Sequence, residues 1–250
     1  AFLCVLFVKK TKITDIMRRL KRNSIMSKAT VIAVDGPGGA GKGELTKRLA
    51  KKLGFALLDS GAIYRVLAYA ARKAGLALFD EDSLCQEAAV MNLSFDIKTD
   101  GVHVMLNQED VTSAIRTEEA GLNASKVAQF PSVRKALLQR QRDFRVEPGL
   151  VADGRDMGTT VFPDAQVKIF LDADAKIRAQ RRVAQLQASG KTADFDAILK
   201  EICERDERDR NRIVAPLKPA DDAVIIDSSD LNIDEVFNKA MEIIDKKLQY

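Results

Sequence analysis

The sequence predicts a three-layer α/β fold, in which helices flank a parallel five-stranded sheet. Short apolar runs alternate along the chain with longer helical segments, as expected for repeated strand–helix units. Each apolar run also ends at or beside an acidic residue, so polar groups gather where parallel strands end. The predicted strands are 31–35, 55–59, 150–153, 167–171 and 224–227. The predicted helices are 44–53, 62–74, 174–189, 194–211 and 232–248.

A glycine-rich loop follows the first strand. Residues 36–42 read Gly-Pro-Gly-Gly-Ala-Gly-Lys, the spacing typical of P-loop nucleoside triphosphatases, with a strand before it and a helix after it. Backbone N–H groups of such a loop bind phosphate at the positive end of the helix, and Lys42 adds a full charge. The alternative is a glycine-rich turn without a ligand. The residues predicted to bind ATP are Gly36, Pro37, Gly38, Gly39, Ala40, Gly41, Lys42, Gly43 and Glu44, and Lys42 is also predicted to be catalytic.

The loop departs from the usual pattern after its lysine. A Ser or Thr hydroxyl usually follows and binds Mg²⁺. Here Gly43 and Glu44 follow, and the nearest hydroxyl, on Thr46, lies one helical turn beyond Gly43, about 5 Å along the axis. The loop therefore predicts ATP binding but leaves open how the metal is held.

The second strand leads into Leu58-Asp-Ser-Gly-Ala-Ile-Tyr-Arg65. This places Ser60 and Arg65 at the carboxyl edge of the sheet, where open α/β folds bind ligands. A cation in the first turns of a helix opposes the helix dipole, which a bound anion would explain. The alternative is that Arg65 is an ordinary exposed arginine.

Between the second and third large strands the pattern changes. Residues 93–97 and 102–106 alternate apolar and polar side chains around a turn at 99–101, which predicts a β-hairpin. His103, the only histidine, lies in this hairpin, which excludes a catalytic histidine pair and places it on the polar face of a strand. We expect an acceptor-binding insert at about 87–146, between core segments 29–86 and 147–250.

The third large strand ends in Asp153-Gly-Arg-Asp156. Asp153, at the strand end, is placed to bind Mg²⁺ directly or through water, as acidic residues do there in phosphate-loop enzymes. Asp59 and Asp172 also end strands, so position alone does not single out Asp153. The neighbouring Arg155 and the second carboxylate, that of Asp156, are what single out Asp153.

A charged helix follows near the C-terminal third of the chain. Residues 204–212 contain four arginines and four acids, which most often means a solvated helix with i,i+4 pairs. Here apolar residues at 195, 198, 199 and 202 predict packing on the core, and residues 205, 208, 209 and 212 share one face. Arginine side chains suit phosphate oxygens. With the preceding arginine-bearing helix and Ser189-Gly190 as a hinge, this predicts a mobile lid at about 178–195.

The net charge of +4 hides an uneven distribution. Residues 1–28 hold eight Lys and Arg against one Asp, while 29–250 hold 32 basic and 35 acidic residues, so the body is mildly acidic. A nucleic-acid surface is therefore not implied by the overall charge. We interpret 1–28 as a basic extension outside the fold, with Met26 resembling a natural start; the alternative for 1–25 is an amphipathic arm at a membrane surface. The three cysteines show no metal-ligand spacing.

These motifs together resemble the bacterial cytidylate kinase family over about 29–248. The motifs are the loop at 36–43, Asp59–Arg65, Asn123-Ala-Ser125, 152–158 and 204–212, in that order. The resemblance implies transfer of the γ-phosphoryl group of ATP to CMP or dCMP, with Mg²⁺. It implies that Ser60, Arg65, Ser125, Arg134, Arg155, Asp156, Arg205, Asp209 and Arg212 surround the acceptor nucleotide. Of these, Ser125, Arg134 and Asp156 would contact the cytosine, and Arg205 with Asp209 the sugar. Glu44 departs from the family, which usually has Thr there.

The reaction we expect is in-line transfer without a covalent enzyme intermediate, with Arg155, Arg205 and Arg212 joining Lys42 as catalytic cations. Three alternatives stay open: a kinase of UMP or a hydroxylated metabolite, a non-catalytic ATP-binding switch, and a nucleic-acid-binding protein that uses the basic arm. We expect a cytoplasmic monomer whose partners are ATP and CMP or dCMP, without nucleic-acid or membrane partners.

Overall fold

A computed structural model describes residues 28–98 and 101–248. The strands are β1 Thr30–Asp35, β2 Ala56–Asp59, β3 Leu93–Lys98, β4 Gly101–Leu106, β5 Glu109–Asp110, β6 Gly149–Gly154, β7 Val167–Asp172 and β8 Val224–Asp227. The helices are α1 Lys42–Leu53, α2 Ser60–Lys73, α3 Glu81–Val90, α4 Glu118–Val127, α5 Pro131–Arg142, α6 Ala175–Ala188, α7 Phe195–Arg210 and α8 Ile233–Leu248. A 3₁₀ turn spans Ala114–Arg116, and a π-type helix spans Met157–Val161.

The main sheet has five parallel strands in the order β2-β6-β1-β7-β8. The central strands β1, β6 and β7 are apolar and buried on both faces, as a parallel sheet covered on both sides requires. This confirms the predicted sheet, and the predicted strand bounds differ from the observed ones by one residue or less. Because β1 lies between β6 and β7 and runs parallel to both, its carboxyl end lies beside the carboxyl ends of β6 and β7.

Two apolar clusters fill the space on the two faces of this sheet. Val31 and Ala33 belong to one cluster, with residues of α2 and of the insert. Ile32 and Val34 belong to the other, with residues of α1 and α8. This alternation along β1 is the period-two pattern of a strand between two helical layers, and it confirms the three-layer prediction.

The insert contains more structure than the sequence predicted. The predicted hairpin is present as β3 and β4, and β5 adds a third antiparallel strand. Its predicted turn lies partly outside the described residues. Three helices were not predicted: α3, which begins at Glu81 before the insert, and α4 and α5 within it. Their apolar pattern is weak, since α3 buries only Leu84 and Ala88 and α4 only three residues.

The helices α6 and α7 pack against each other beside the phosphate loop. The prediction that Phe195, Ile198, Leu199 and Ile202 attach α7 to the core was wrong. These side chains are half-buried and belong to neither apolar cluster, and the buried residues of α7 are instead Asp206 and Asp209. The helix is therefore held to the body through charged groups.

Two expectations concern parts of the chain near its ends. The proposed basic extension falls, apart from Lys28, outside the described residues. Within the described residues, none of the helices has the length and apolar character needed to cross a bilayer.

Candidate active site

The phosphate loop connects β1 to α1 at the carboxyl edge of the sheet. Gly36 has a φ of 148°, and a Cβ there would lie 2.0 Å from the Leu171 carbonyl oxygen, so only glycine fits. Gly41 precedes α1 in a left-handed conformation and gives it no side-chain cap. The first N–H groups of α1 therefore have no capping side chain, and the loop leaves them available to an anion.

Lys42 is buried at the start of α1. Its Nζ donates to the Pro37 carbonyl oxygen at 2.8 Å and lies 4.0 Å from Asp153 Oδ1. Burial lowers the pKa of Lys42 to about 8, and nearby Asp153 opposes that shift. Burial also disfavours the charged form of Asp153 and so raises its pKa to about 6. The ammonium is thus held in place by the loop in a poorly solvated position.

A cavity beside the loop is lined by all nine residues that the resemblance assigned to the acceptor. These are Ser60, Arg65, Ser125, Arg134, Arg155, Asp156, Arg205, Asp209 and Arg212. They come from α2, α4, α5, the end of β6, α7 and the residues after α7. Residues up to 152 positions apart in the sequence therefore meet around one space, which is rich in guanidinium groups.

Two arginines connect this cavity with the phosphate loop. A Cβ on Gly38 would lie 3.3 Å from Arg155 Nη2 and 3.5 Å from Arg205 Nη1. Both guanidiniums therefore lie against the loop while their side chains line the cavity. The charge of Arg155, followed by burial, lowers the pKa of Arg205 to about 9. Two like charges held this close indicate a site built for a multiply charged anion.

Asp209 lies among these cations. It accepts a hydrogen bond from Arg155 Nε, and Arg212 Nη2 lies 3.3 Å from Asp209 Oδ1. Burial opposes its ionisation, but Arg155 and Arg212 hold the pKa of Asp209 below its usual range. Arg205 Nε and Arg212 Nη2 are buried and donate no hydrogen bond within the described part of the chain. Arg205 Nε is thus without a hydrogen bond there, and Arg212 Nη2 has only its ion pair with Asp209.

The far wall of the cavity carries a buried ion pair. Arg134 Nη2 donates to Asp156 Oδ2 at 2.5 Å, and both side chains are buried. The Arg134 guanidinium also lies over the Tyr64 ring, 5.7 Å from its centroid. Burial raises the pKa of Tyr64 to about 12, so the phenol stays neutral. The pair offers a ligand one fixed donor and one fixed acceptor.

Ser60 has a partner that the sequence did not reveal. Its hydroxyl donates to Gln141 Oε1 at 2.7 Å, inside the protein. Gln141 is the last buried residue of α5, and its position 81 residues from Ser60 gives no local signal. Tyr64 was also missed, although it lies within the quoted Asp59–Arg65 motif.

Arg178 of α6 joins the phosphate loop to α7. It is 2% exposed and donates to the Gly38 carbonyl oxygen at 3.0 Å and to the Ala173 carbonyl oxygen at 2.9 Å. Its guanidinium also pairs with both carboxylate oxygens of Asp206, at 3.2 and 2.5 Å. The sequence predicted an arginine-bearing helix here but gave no sign of this contact of Arg178.

The structure also shows where the unusual residues after Lys42 point. Glu44 pairs with Arg48 at 3.0 Å on the solvent side of α1, and Arg48 also reaches Asp234 of α8. Thr46 donates to the Lys42 carbonyl oxygen at 2.9 Å, so its hydroxyl is directed at the helix backbone. Arg208, expected on the same face as Arg205, is exposed and is not among the residues lining the cavity.

The Asp153 carboxylate lies close to the start of α1. Its Oδ2 would lie 3.7 Å from a Cβ on Gly43, at the start of α1. No group of three metal-ligating side chains occurs in residues 28–98 and 101–248. Mg²⁺ commonly takes one or two carboxylates and completes its shell with water and phosphate oxygens. The residues present fit that mode of binding.

Comparison with known proteins gives a consistent result. The sequence model of the family described as Cytidylate kinase matches residues 32–246. The cytidylate kinase of Pasteurella multocida is 59% identical over 224 residues, which cover 89% of this chain and 98% of that protein. The cytidylate kinases of Vibrio vulnificus and Vibrio cholerae are 57% and 58% identical over 222 residues, covering 89% of this chain and 98% and 99% of those proteins.

Proposed function

This chain belongs to the cytidylate kinase family, and we propose that it transfers the γ-phosphoryl group of ATP to CMP or dCMP in the cavity beside its phosphate loop. One observation carries the assignment of the site. Arg155 and Arg205 lie against the loop at Gly38 and at the same time line the cavity of nine acceptor residues. The donor phosphates and the acceptor would therefore meet at these two guanidiniums.

The donor side is formed by the loop residues 36–44. Lys42 would contact the terminal phosphates, since its ammonium is buried and held by Pro37. Mg²⁺, when bound, supplies further positive charge to these phosphates. Asp153 would hold it directly or through water. The contact of Glu44 with Arg48 leaves that carboxylate on the solvent side, where its repulsion of the phosphates is weakened.

The acceptor side distinguishes cytosine from uracil by its hydrogen-bonding groups. Asp156 can accept from the exocyclic amino group of cytosine, whereas uracil presents a carbonyl oxygen there, which repels the carboxylate instead of donating to it. Arg134 and Ser125 would complete the contacts with the base, and Arg205 with Asp209 those with the sugar. A site that must pair a buried polar group rejects ligands that lack the partner.

Phosphoryl transfer depends more on positioning and on stabilisation of charge than on a general base. An acceptor phosphate is ionised at neutral pH and attacks without a strong general base. Arg155, Arg205 and Arg212 would neutralise the charge that develops on the transferred group, with Lys42 on the donor side. Closure of the predicted lid at about 178–195 would exclude water, which competes as acceptor. We also propose that the protein is a monomer and is located in the cytoplasm.

The test is a coupled assay of ADP release with ATP, Mg²⁺ and a panel of acceptors: CMP, dCMP, UMP, AMP and shikimate. We expect CMP and dCMP to be turned over at least ~10-fold faster than the others, the scale of one lost polar contact. Equal rates with UMP would contradict the assignment of the base contacts. ATP binding without turnover of any acceptor would identify a switch protein instead.

A further inference from the structure

Asp35 is a buried carboxylate that the proposed reaction does not use. It is the last residue of β1, directly before the phosphate loop, and is 4% exposed. Its two oxygens accept hydrogen bonds from the backbone N–H groups of Met157, at 2.7 Å, and Gly158, at 2.8 Å. Both oxygens are therefore committed to the backbone of a segment more than 120 positions away.

That segment is the start of the π-type helix Met157–Val161. The first N–H groups of a helix have no partner within it, and the preceding residue usually supplies one from its side chain. The preceding residue here is Asp156, and Asp is among the preferred capping residues. Yet Asp156 makes no capping hydrogen bond, and its carboxylate pairs with Arg134 in the cavity.

We infer that Asp35 is a positioning residue for acceptor recognition, because it caps this helix in place of Asp156 and leaves the Asp156 carboxylate for the base. This inference rests on the proposed function. Burial of the two N–H groups makes an acceptor obligatory there. Without Asp35, the carboxylate nearest in sequence is that of Asp156, which would turn toward the helix and leave Arg134 without its partner.

The surrounding packing supports this role. A Cβ on Gly158 would lie 3.3 Å from Asp35 Oδ2, so the helix approaches the carboxylate closely because that residue is glycine. Asp35 also precedes Gly36, whose conformation is fixed against the Leu171 carbonyl group. One residue thus connects the beginning of the donor loop with the segment that carries Arg155 and Asp156.

The test compares Asp35→Asn, Asp156→Asn and the double variant in steady-state assays with CMP and UMP. An asparagine keeps the shape but turns one acceptor into a donor facing an N–H group. We expect Asp35→Asn to lower the CMP-to-UMP ratio of kcat/KM at least ~10-fold, while the KM for ATP changes less than ~2-fold. When Asp156→Asn is already present, adding Asp35→Asn should change the CMP-to-UMP ratio less than ~2-fold. The Asp156 carboxylate, through which Asp35 is inferred to act, is then already absent.

Ile244→Ala is the matched control for lost stability. Ile244 is fully buried in α8, on the other face of the sheet, so this variant should lower the melting temperature and leave the CMP-to-UMP ratio unchanged. If Asp35→Asn does not fold, Asp35→Ser, which is smaller and keeps one acceptor, takes its place. Amide spectra of ¹⁵N-labelled protein give a readout without turnover, since the Met157 and Gly158 signals should shift strongly in the Asp35 variant.

Two results would overturn the inference. One is an unchanged CMP-to-UMP ratio in a folded Asp35 variant. The other is an effect of the same size with and without Asp156, which would show a structural role alone. Failure of the proposed function is a separate outcome, because the parent protein itself would then show no preference for CMP.

Discussion

Replacing Lys42 by methionine tests the donor side of the site. The side-chain stem is kept, so the change removes a buried charge and little volume. The ammonium is 7% exposed and held at 2.8 Å from the Pro37 carbonyl oxygen, so a phosphate oxygen would meet it without reorganisation. Its distance to Asp153 Oδ1, 4.0 Å, gives the separation of two opposite charges in this part of the site.

Two estimates of the effect agree. Unit charges about 4 Å apart interact by about 4 kcal/mol at an effective dielectric constant of about 20. Loss of one preorganised contact in a transition state costs about 2.7–4 kcal/mol, or roughly 10²–10³ in kcat. We therefore expect Lys42→Met to lower kcat at least ~100-fold in the coupled assay with CMP.

The control is Lys51→Met, the same substitution on an exposed residue of α1. It should leave kcat within ~2-fold, because an exposed charge a few turns away is screened. Melting curves of both variants check that the fold persists. A Lys42→Met protein that turns over within a few-fold of the parent would refute the role given to this ammonium.

Three further predictions concern the base, the metal and the pH. Asp156→Ala should lower kcat/KM for CMP at least ~10-fold more than for UMP, and equal losses would contradict the base contact. Glu44→Thr should leave the unfolding free energy within about 0.5 kcal/mol, since its partner Arg48 is surface-exposed and still paired with Asp234; a lower Mg²⁺ requirement in this variant would show that the hydroxyl can serve the metal. ATP binding at pH 8.5 should be accompanied by proton uptake, because burial lowers the pKa of Lys42 to about 8 and a bound phosphate would raise it again. Calorimetry in two buffers measures this uptake, which Lys42→Met should abolish.

The parallel sheet and the phosphate loop could be predicted because their signals are local. Strands β1 and β6 are continuous apolar runs, and the loop has fixed spacing immediately behind β1. The insert helices could not be predicted in this way. Helix α3 buries two apolar residues and is held mainly by neighbouring elements, which a local pattern does not show.

The site was predictable as a set of residues but not as a network. The family resemblance indicated Arg134 and Asp156 separately, yet nothing in their spacing of 22 positions showed that they pair. Asp35 and Gln141 were missed because their partners lie 122 and 81 positions away. Arg208 was placed with the site by helical periodicity, which cannot tell where α7 turns its charged face to solvent.

The arginine-rich cavity has a practical consequence. Five arginines and only two aspartates line it, so it attracts small tetrahedral anions, and sulfate or inorganic phosphate in a purification buffer competes with the nucleotide. An anion present at 100 times its dissociation constant would add about 2.7 kcal/mol to the unfolding free energy. In a chain of this size that raises the melting temperature by roughly 5–10 °C. Affinities measured in phosphate buffer would therefore be weaker than those measured in a buffer of bulky organic ions.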